Sequence, residues 1–170
     1  TILFDYYMNY TEEVNCLIER QMRNWQTVAQ NYGALERVET RDLQLGGSTV
    51  VLQFNPERIR SSAAKVDAAS LKARKCFLCS ENQPQEQEMI PWHGKYKIQV
   101  NPYPIFPRHL TIANMQHVYQ SIVGRVGDML RLSADLQEFV LFYNGPKCGA
   151  SAPDHMHFQA GNKGFMPFCE

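Results

Sequence analysis

A segment near the start of the chain shows the apolar spacing of an amphipathic helix. Over residues 11–32, apolar side chains recur three or four positions apart, which places them on one helix face. These positions are Val14, Leu17, Ile18, Trp25 and Val28. Thr11 is expected to cap the first turn and Gly33 to end the helix. The same spacing predicts a second helix over 118–136.

Elsewhere in the chain, the pattern of apolar residues predicts short strands. Residues 38–45 and 49–54 flank Gly46-Gly47, which can supply the positive φ angles of a tight hairpin turn. A continuous apolar run at 139–143 indicates a central, buried strand. Further strands are predicted at 96–100, 110–113 and 155–159.

The order of these elements predicts an α+β fold with a mostly antiparallel sheet and flanking helices. The chain, residues 1–170, is long enough for a single domain with a sizeable core. It begins without Met and stops soon after the segment 155–159. We therefore expect a fragment or a chain truncated at the C terminus, with part of the site outside it.

Composition narrows the class of protein. Apolar residues make up 44% of the chain and charged residues 20%, as in a soluble globular domain. Lys plus Arg equals Asp plus Glu, at 17 each, so no nucleic-acid partner is expected. No apolar run is long enough to cross a bilayer, so no membrane partner is expected. Five cysteines with one close pair do not resemble a secreted disulfide framework, which favours a reducing, cytoplasmic location.

The segment His155-Met156-His157-Phe158-Gln159 is the most informative for function. Side chains alternate between the faces of a strand, so both imidazoles and the amide are expected on one side, facing a shared pocket. A neutral imidazole can attack an activated phosphorus, and a nearby amide can hold a phosphate oxygen. The spacing leaves open which histidine attacks, and it is also compatible with a metal site or a plain surface.

The turn Cys76-Phe77-Leu78-Cys79 can place two thiolates on one tetrahedral ion. Zinc needs two further ligands, and a Cys₂His₂ site that includes His117 and His155 would join this turn to the histidine strand. A redox dithiol or two structural thiols are the alternatives. No thioredoxin-like βαβ pattern surrounds the pair, and the sequence favours zinc.

A glycine-rich segment, residues 144–151, joins the apolar run to the histidine strand. Its glycines allow a phosphate to approach the backbone, and Lys147 and Ser151 can donate hydrogen bonds to it. The segment lacks the spacing of a P-loop, and an ordinary turn is the alternative.

Residues 101–109 form a second candidate binding segment, stiffened by prolines. Tyr103 and Phe106 offer flat apolar faces that could flank a nucleobase, although a turn that covers the core is equally compatible. The candidate phosphate-binding arginines are Arg58, Arg60 and Arg108.

Together these segments resemble the histidine-triad (HIT) superfamily, and in particular its glutamine-containing transferase branch. That branch includes galactose-1-phosphate uridylyltransferases, diadenosine tetraphosphate phosphorylases and GDP-hexose phosphorylases. The resemblance runs from about residue 54 to residue 161. Residues 55–58 are similar to a nucleotide-contacting segment, residues 76–79 to the uridylyltransferase zinc turn, and residues 157–160 to the GDP-hexose phosphorylases.

The resemblance implies a HIT-like fold and a role for each motif. His157 would be the nucleophile that becomes nucleotidylated, and Gln159 would contact the transferred phosphate. A structural zinc ion would be bound by Cys76, Cys79, His117 and His155. Substrate would be bound by Arg58, Asn101, Asn144, Lys147, Gly149 and Ser151.

The expected function is that of a nucleotidyltransferase or phosphorylase. A nucleoside monophosphate would move from a nucleotide sugar or dinucleoside polyphosphate to a phosphate acceptor. Two alternatives stay open: a non-catalytic, zinc-containing nucleotide-binding domain, and a HIT-type nucleotide hydrolase. Gln159 in place of a third histidine argues against the hydrolase. Many members of the superfamily are dimers, so a homodimer is the assembly that the resemblance allows.

Overall fold

The structure, a computed structural model, describes residues 10–58 and 65–166. Its helices are α1 Tyr10–Asn24, α2 Gln26–Gly33, α3 Ala68–Ala73 and α4 Val126–Asp135. Its strands are β1 Glu39–Leu45, β2 Ser48–Phe54, β3 Ile90–Trp92, β4 Tyr96–Val100, β5 His109–Asn114, β6 Phe139–Phe142 and β7 His157–Asn162. These elements confirm the predicted α+β class. None of the helices within the described ranges is long and apolar enough to span a membrane.

Five strands form an antiparallel sheet in the order β3-β4-β5-β7-β6. In this sheet Ala113 lies opposite His157, and Thr111 lies opposite Gln159. The strands β1 and β2 form a separate hairpin, and the φ angles of 56° at Gly46 and 84° at Gly47 confirm the predicted turn.

The sheet has one apolar and one polar face because side chains alternate along each strand. Alternate residues of β4, β5 and β7 belong to the apolar core, except at the last position of β5 and of β7, where Asn114 and Asn162 lie. The core also contains side chains of α1, α2 and α4. Ile98, Ile112 and Phe158 are examples, each with no exposed surface. The opposite face carries the polar residues Lys97, Gln99, Thr111, His157 and Gln159.

The strand predicted at 139–143 lies at the edge of the sheet, and its assignment as a central strand was wrong. This strand is apolar because other side chains pack on both of its faces, although it lies at the sheet edge. Phe139 and Leu141 are buried in the core, whereas Phe142 packs against Phe106 on the other face, with ring centroids 5.8 Å apart.

The helix predicted over 11–32 is interrupted at Trp25, which has an extended conformation with φ −123° and ψ 102°. The apolar spacing continues across the break because α1 and α2 pack into the same core. Gly33 is the last residue of α2, as predicted, but neither residue forms the cap that was expected. Thr11 lies inside the first turn and donates a hydrogen bond to the carbonyl oxygen of Asp135, and Gly33 keeps a right-handed φ of −62° as the chain continues into a 3₁₀ turn.

The helix predicted over 118–136 is shorter than expected, since regular helix begins only at Val126. Gly124 has a φ of +72°, which an α-helix cannot contain. The preceding residues bond instead to the chain just before β7: the carbonyl oxygen of Val118 accepts from the N–H of Met156 at 2.7 Å. The short strand β3 was missed because its central residue, Pro91, argues against a strand except at a sheet edge, where β3 lies.

Helix α2 holds the segment before β5 in place. Asn31 donates from Nδ2 to the carbonyl oxygen of Pro102 at 2.6 Å, and the hydroxyl of Tyr32 donates to the carbonyl oxygen of His109 at 3.0 Å. The ring of Phe106 packs on Gly161 so closely that a Cβ there would lie 2.7 Å from it. The segment 101–108 is thereby fixed over one end of β7.

The two leucines of α4 provide a test of this core. Leu132 is fully buried and Leu130 is 67% exposed. We expect Leu132→Ala to lower the free energy of unfolding by about 2–5 kcal/mol, because it leaves a cavity in the core. Leu130→Ala is the matched control and should change it by less than about 0.5 kcal/mol. Urea denaturation of both variants measures the difference, and equal effects would contradict the described packing of α4.

Candidate functional site

A cleft of about 680 Å³ opens on the polar face of the sheet. Thr111, His157 and Gln159 line it from β5 and β7. The remaining lining comes mainly from the segments 82–87, 101–105 and 144–152. The cleft brings together most of the residues predicted to be catalytic or substrate-binding. Those that line it are Arg58, Asn101, Asn144, Gly149, Ser151, His157 and Gln159.

Two of the predicted phosphate-binding cations lie elsewhere. Lys147 is exposed and is not part of the cleft lining. Arg108 donates to the carboxylate of Glu138 at 2.5 Å and to the side-chain oxygen of Asn15 at 3.0 Å, outside the cleft. Arg108 forms an ion pair at the edge of the sheet, so it does not share the cleft with the other candidate phosphate ligands. Arg60 lies outside the described residues.

The cleft also contains residues for which the sequence predicted no catalytic or binding role. Trp25 and Thr27 reach it from the junction of α1 and α2, and Glu86 and Gln87 reach it from the loop before β3. No local motif marks these side chains, because only the packing of the helices against the sheet brings them to the site.

The hydrogen bond of the His157 ring determines its protonation pattern. Its Nδ1 lies 2.8 Å from the carbonyl oxygen of His155, and a carbonyl can only accept. Nδ1 therefore carries the proton, and in the neutral ring Nε2 keeps its lone pair. Burial lowers the pKa of His157, partly offset by this hydrogen bond, so the ring is neutral near pH 7. Among the described residues, none is hydrogen-bonded to Nε2.

Gln159 is oriented by His109 in the neighbouring strand. The N–H of Ile105 donates to Nδ1 of His109 at 3.1 Å, so the neutral ring carries its proton on Nε2. Nε2 in turn donates to Oε1 of Gln159 at 2.9 Å. The Gln159 amide therefore presents its NH₂ group, a hydrogen-bond donor, toward the cleft. Burial lowers the pKa of His109 to about 4, which keeps this arrangement intact near neutral pH.

The glycine-rich segment is fixed at both ends. It leaves β6 at Asn144, and Gly149 has a φ of +83°, which favours glycine. Near its end, Arg74 donates to the carbonyl oxygen of Ser151 at 3.1 Å and to the carboxylate of Asp154 at 2.9 Å. The same guanidinium lies 4.9 Å from the centre of the Phe77 ring, which joins this segment to the cysteine turn.

Beside the cleft, Cys76, Cys79, His117 and His155 form a cluster that could hold a metal ion, with all four ligand atoms within 4.8 Å of one another. Nδ1 of His155 lies 3.3 Å from Sγ of Cys76, and Nδ1 of His117 lies 3.2 Å from Sγ of Cys79. Ligands of a tetrahedral zinc ion, with Zn–S of about 2.3 Å and Zn–N of about 2.0 Å, would stand about 3.5 Å apart. The donor set and its spacing therefore fit such an ion.

The outer nitrogens of both histidines face oxygen atoms. Nε2 of His155 donates to the carbonyl oxygen of Asn114 at 2.9 Å, and Nε2 of His117 lies 3.9 Å from the carboxylate of Asp154. Such partners fix the ring orientation and leave Nδ1 free to bind a metal. Asp154 immediately precedes His155, and the sequence had assigned it no role.

His155 does not share the cleft with His157, contrary to the expectation that both rings face one pocket. It lies just before β7, where the chain is not regular strand, and its ring turns to the cysteines. Strand alternation holds for His157 and Gln159 but does not extend to His155.

Buried polar groups support the cysteine turn from the sheet. The fully buried Lys97 donates to Oγ of Ser80 at 2.8 Å and to Oε1 of Gln83 at 3.1 Å. Burial raises the pKa of Cys79 to about 11, and its hydrogen bond to Cys76 acts in the same direction. A bound divalent cation would counteract this effect, because metal ions bind thiolates and displace their protons.

The fold is similar to that of yeast Ap4A phosphorylase Apa2. The crystal structure of that enzyme in complex with Ap4A aligns with a TM-score of 0.51 and 18% identity, covering 85% of this chain and 53% of that chain. A second crystal structure of the enzyme gives a TM-score of 0.51 and 18% identity, covering 84% and 51%. The chain thus spans about half the length of these structures. The similarity confirms the predicted HIT-like fold.

No curated protein matches the sequence. The model of one sequence family does match it, over residues 17–162. This range includes the cleft residues of β5 and β7, the glycine-rich segment and the cysteine–histidine cluster. The chain belongs to this family, which is described as "Domain of unknown function (DUF4922)".

Proposed function

We propose that this protein is a nucleotidyltransferase or phosphorylase that forms a nucleotidyl intermediate on His157. The observation that carries the proposal is the His157 ring, whose Nδ1 donates to the His155 carbonyl while Nε2 keeps its lone pair at the cleft. A buried, neutral imidazole held in one tautomer is prepared to attack without first losing a proton. The donor would be a dinucleoside polyphosphate or a nucleotide sugar.

The reaction would proceed as two displacements. Nε2 of His157 attacks the α-phosphorus, a P–N bond forms, and the P–O bond to the leaving group, a nucleoside polyphosphate or a sugar phosphate, breaks with its electron pair. The positive charge of the substituted ring is stabilised by the His155 carbonyl, which accepts from Nδ1. An oxygen of a phosphate acceptor then attacks the same phosphorus, and the P–N bond breaks to regenerate the neutral ring.

The groups around His157 suit this transfer. The NH₂ of Gln159 would donate to a non-bridging phosphate oxygen as negative charge develops there. Arg58, Gly149 and Ser151 line the same cleft and would bind the remaining phosphates. A volume of about 680 Å³ lies within the range of sites for small organic ligands.

We further propose that the ion of the cysteine–histidine cluster is a structural zinc. Two thiolates with two imidazoles form a closed, four-coordinate ligand set, which is typical of structural zinc. Its role would be to join the cysteine turn, the segment after β5 and the start of β7. His155 is two residues from His157, so the bound ion would also restrict the backbone that the nucleophile depends on.

The role of His157 can be tested by trapping the intermediate. We expect the wild-type protein, incubated with a dinucleoside polyphosphate or nucleotide sugar and denatured without acid, to carry one covalent nucleotide that peptide mass spectrometry assigns to His157. His157→Ala should lower labelling by roughly 10⁴-fold or more. His93→Asn removes an exposed imidazole outside the cleft and should label normally. Equal labelling of wild type and His157→Ala would disprove the assignment.

Metal analysis tests the zinc site. We expect about one equivalent of zinc per chain, and less in Cys76→Ser, because the remaining three ligands leave a coordination position open. Removal of the metal by a chelator should lower the melting temperature of the wild type, since metal binding contributes to folding. Cys16→Ser, which changes an exposed thiol outside the cluster, should leave metal content unchanged. A metal-free wild-type protein with both Cys76 and Cys79 freely alkylated would refute zinc binding.

The buried His109 predicts a dependence of stability on pH. Its pKa is about 4 in the folded protein and about 6.5 in an unfolded chain. Because the unfolded state takes up this proton first, stability is retained above about pH 6.5 and lost as the pH falls toward 4.

Between pH 7 and pH 4, we expect the wild type to lose roughly 3 kcal/mol more unfolding free energy than His109→Gln. Denaturant titrations at both pH values measure this, and the variant serves as the control for all other titrating groups. An equal loss in both proteins would show that His109 is not held neutral by burial.

A further inference from the structure

We propose that Gln120 is the positioning residue for His157, an inference that rests on the proposed function of that histidine. Gln120 belongs to the irregular segment that precedes α4, and it is fully buried. Its Nε2 donates to the carbonyl oxygens of Asn144 at 2.8 Å and His157 at 3.1 Å. Its Oε1 accepts from the N–H of His157 at 2.7 Å. One side chain thus satisfies both backbone polar groups of the proposed nucleophile.

The register of the sheet explains why a side chain is needed at this point. The β6–β7 ladder ends at the pair Phe142 and Gln159. Continued by two residues, the same register would place Asn144 opposite His157. The amide of Gln120 instead bonds to both of these residues. A carboxamide has the same donor and acceptor groups as a peptide unit, so it can replace the missing backbone partner.

Because the Gln120 amide takes the place of a backbone partner, β6 and β7 can separate without leaving unpaired backbone groups. A buried N–H or carbonyl without a partner is destabilising, which would oppose any opening of the ladder. Past the separation, Asn144 and His157 both line the cleft, as do Gly149 and Ser151 of the segment that leaves β6. Gln120 therefore fixes the distance between the nucleophile and the segment that would bind phosphate.

A second backbone contact supports the same geometry. The N–H of Met156 donates to the carbonyl oxygen of Val118 at 2.7 Å, two residues before Gln120. Val118 and Gln120 thus bond to consecutive residues of the chain, Met156 and His157, where β7 begins. Gln120 itself does not line the cleft, so its loss removes no direct contact with a bound nucleotide.

Two measurements distinguish a role in positioning His157 from a role in binding the nucleotide: the rate of His157 nucleotidylation and the dissociation constant of the nucleotide. Gln120→Met keeps the side-chain length and removes all three hydrogen bonds. We expect the rate of His157 nucleotidylation to fall about 100-fold, because small displacements of a nucleophile have effects of this size. The dissociation constant of the same nucleotide should change by less than about threefold. Gln116→Met, at an exposed glutamine of the same segment, is the matched control and should alter neither value.

A variant with one correct hydrogen bond gives a graded result. Gln120→Glu retains the acceptor for the His157 N–H but loses the donor to both carbonyls, so its labelling rate should lie between those of Gln120→Met and wild type. Unchanged labelling in Gln120→Met would overturn the inference. An equal loss of labelling and of nucleotide affinity would also overturn it, since that result indicates general disruption of the cleft.

Amide hydrogen exchange provides a readout that does not depend on activity. The His157 amide should exchange at least about tenfold faster in Gln120→Met than in wild type, whereas the Phe158 amide, which lies in the β5–β7 ladder, should not change. If Gln120→Met does not fold, the labelling rate of Gln120→Glu decides instead: a partial loss is expected, and an unchanged rate would overturn the inference. If the wild type is never labelled, the proposed function fails, but exchange still decides whether Gln120 holds His157. Unchanged exchange at His157 would overturn the inference.

Discussion

The pairing of β5 with β7 is the constraint on which the site depends. It places Ala113 opposite His157 and Thr111 opposite Gln159, and it brings the His109 ring within hydrogen-bonding distance of Gln159. The end of β5 also supplies the Asn114 carbonyl that accepts from His155. A shift of this register by one residue would turn His157 and Gln159 into the apolar core, where their polar groups would lose their partners.

The site is built from polar groups that the fold buries and pairs with hydrogen-bond partners. His109, Lys97 and Gln120 are almost completely inaccessible, yet each makes hydrogen bonds with described residues. Buried polar groups of this kind fix geometry because each alternative arrangement leaves a donor or acceptor unsatisfied. The same burial keeps the imidazole rings neutral, since it lowers the pKa values of His109, His155 and His157. Geometry and protonation state therefore have a common cause.

The cleft and the cysteine–histidine cluster are adjacent, and each uses different atoms of residues 155–157. His155 turns its ring to the cysteines, while its carbonyl oxygen accepts from Nδ1 of His157. Arg74 links the glycine-rich segment to Asp154, which in turn faces His117. These contacts connect the cysteine–histidine cluster to both the proposed nucleophile and the proposed phosphate-binding segment.

The sequence by itself determined the α+β class, the hairpin turn and the cysteine pair of the cluster, because each depends on spacing within a short segment. His117 and His155 are distant from that pair in the chain, and it was the resemblance that identified them as its partners. Most of the catalytic and substrate-binding residues that the sequence identified line the cleft, and His157 and Gln159 do so because they share a strand face. Only the tertiary structure decided that His155 leaves that cleft, that the apolar strand at 139–142 lies at the sheet edge, and that Gln120 bridges the separated strands. Each of these results depends on partners distant in the chain, and local periodicity carries no information about which distant group will satisfy a buried hydrogen bond.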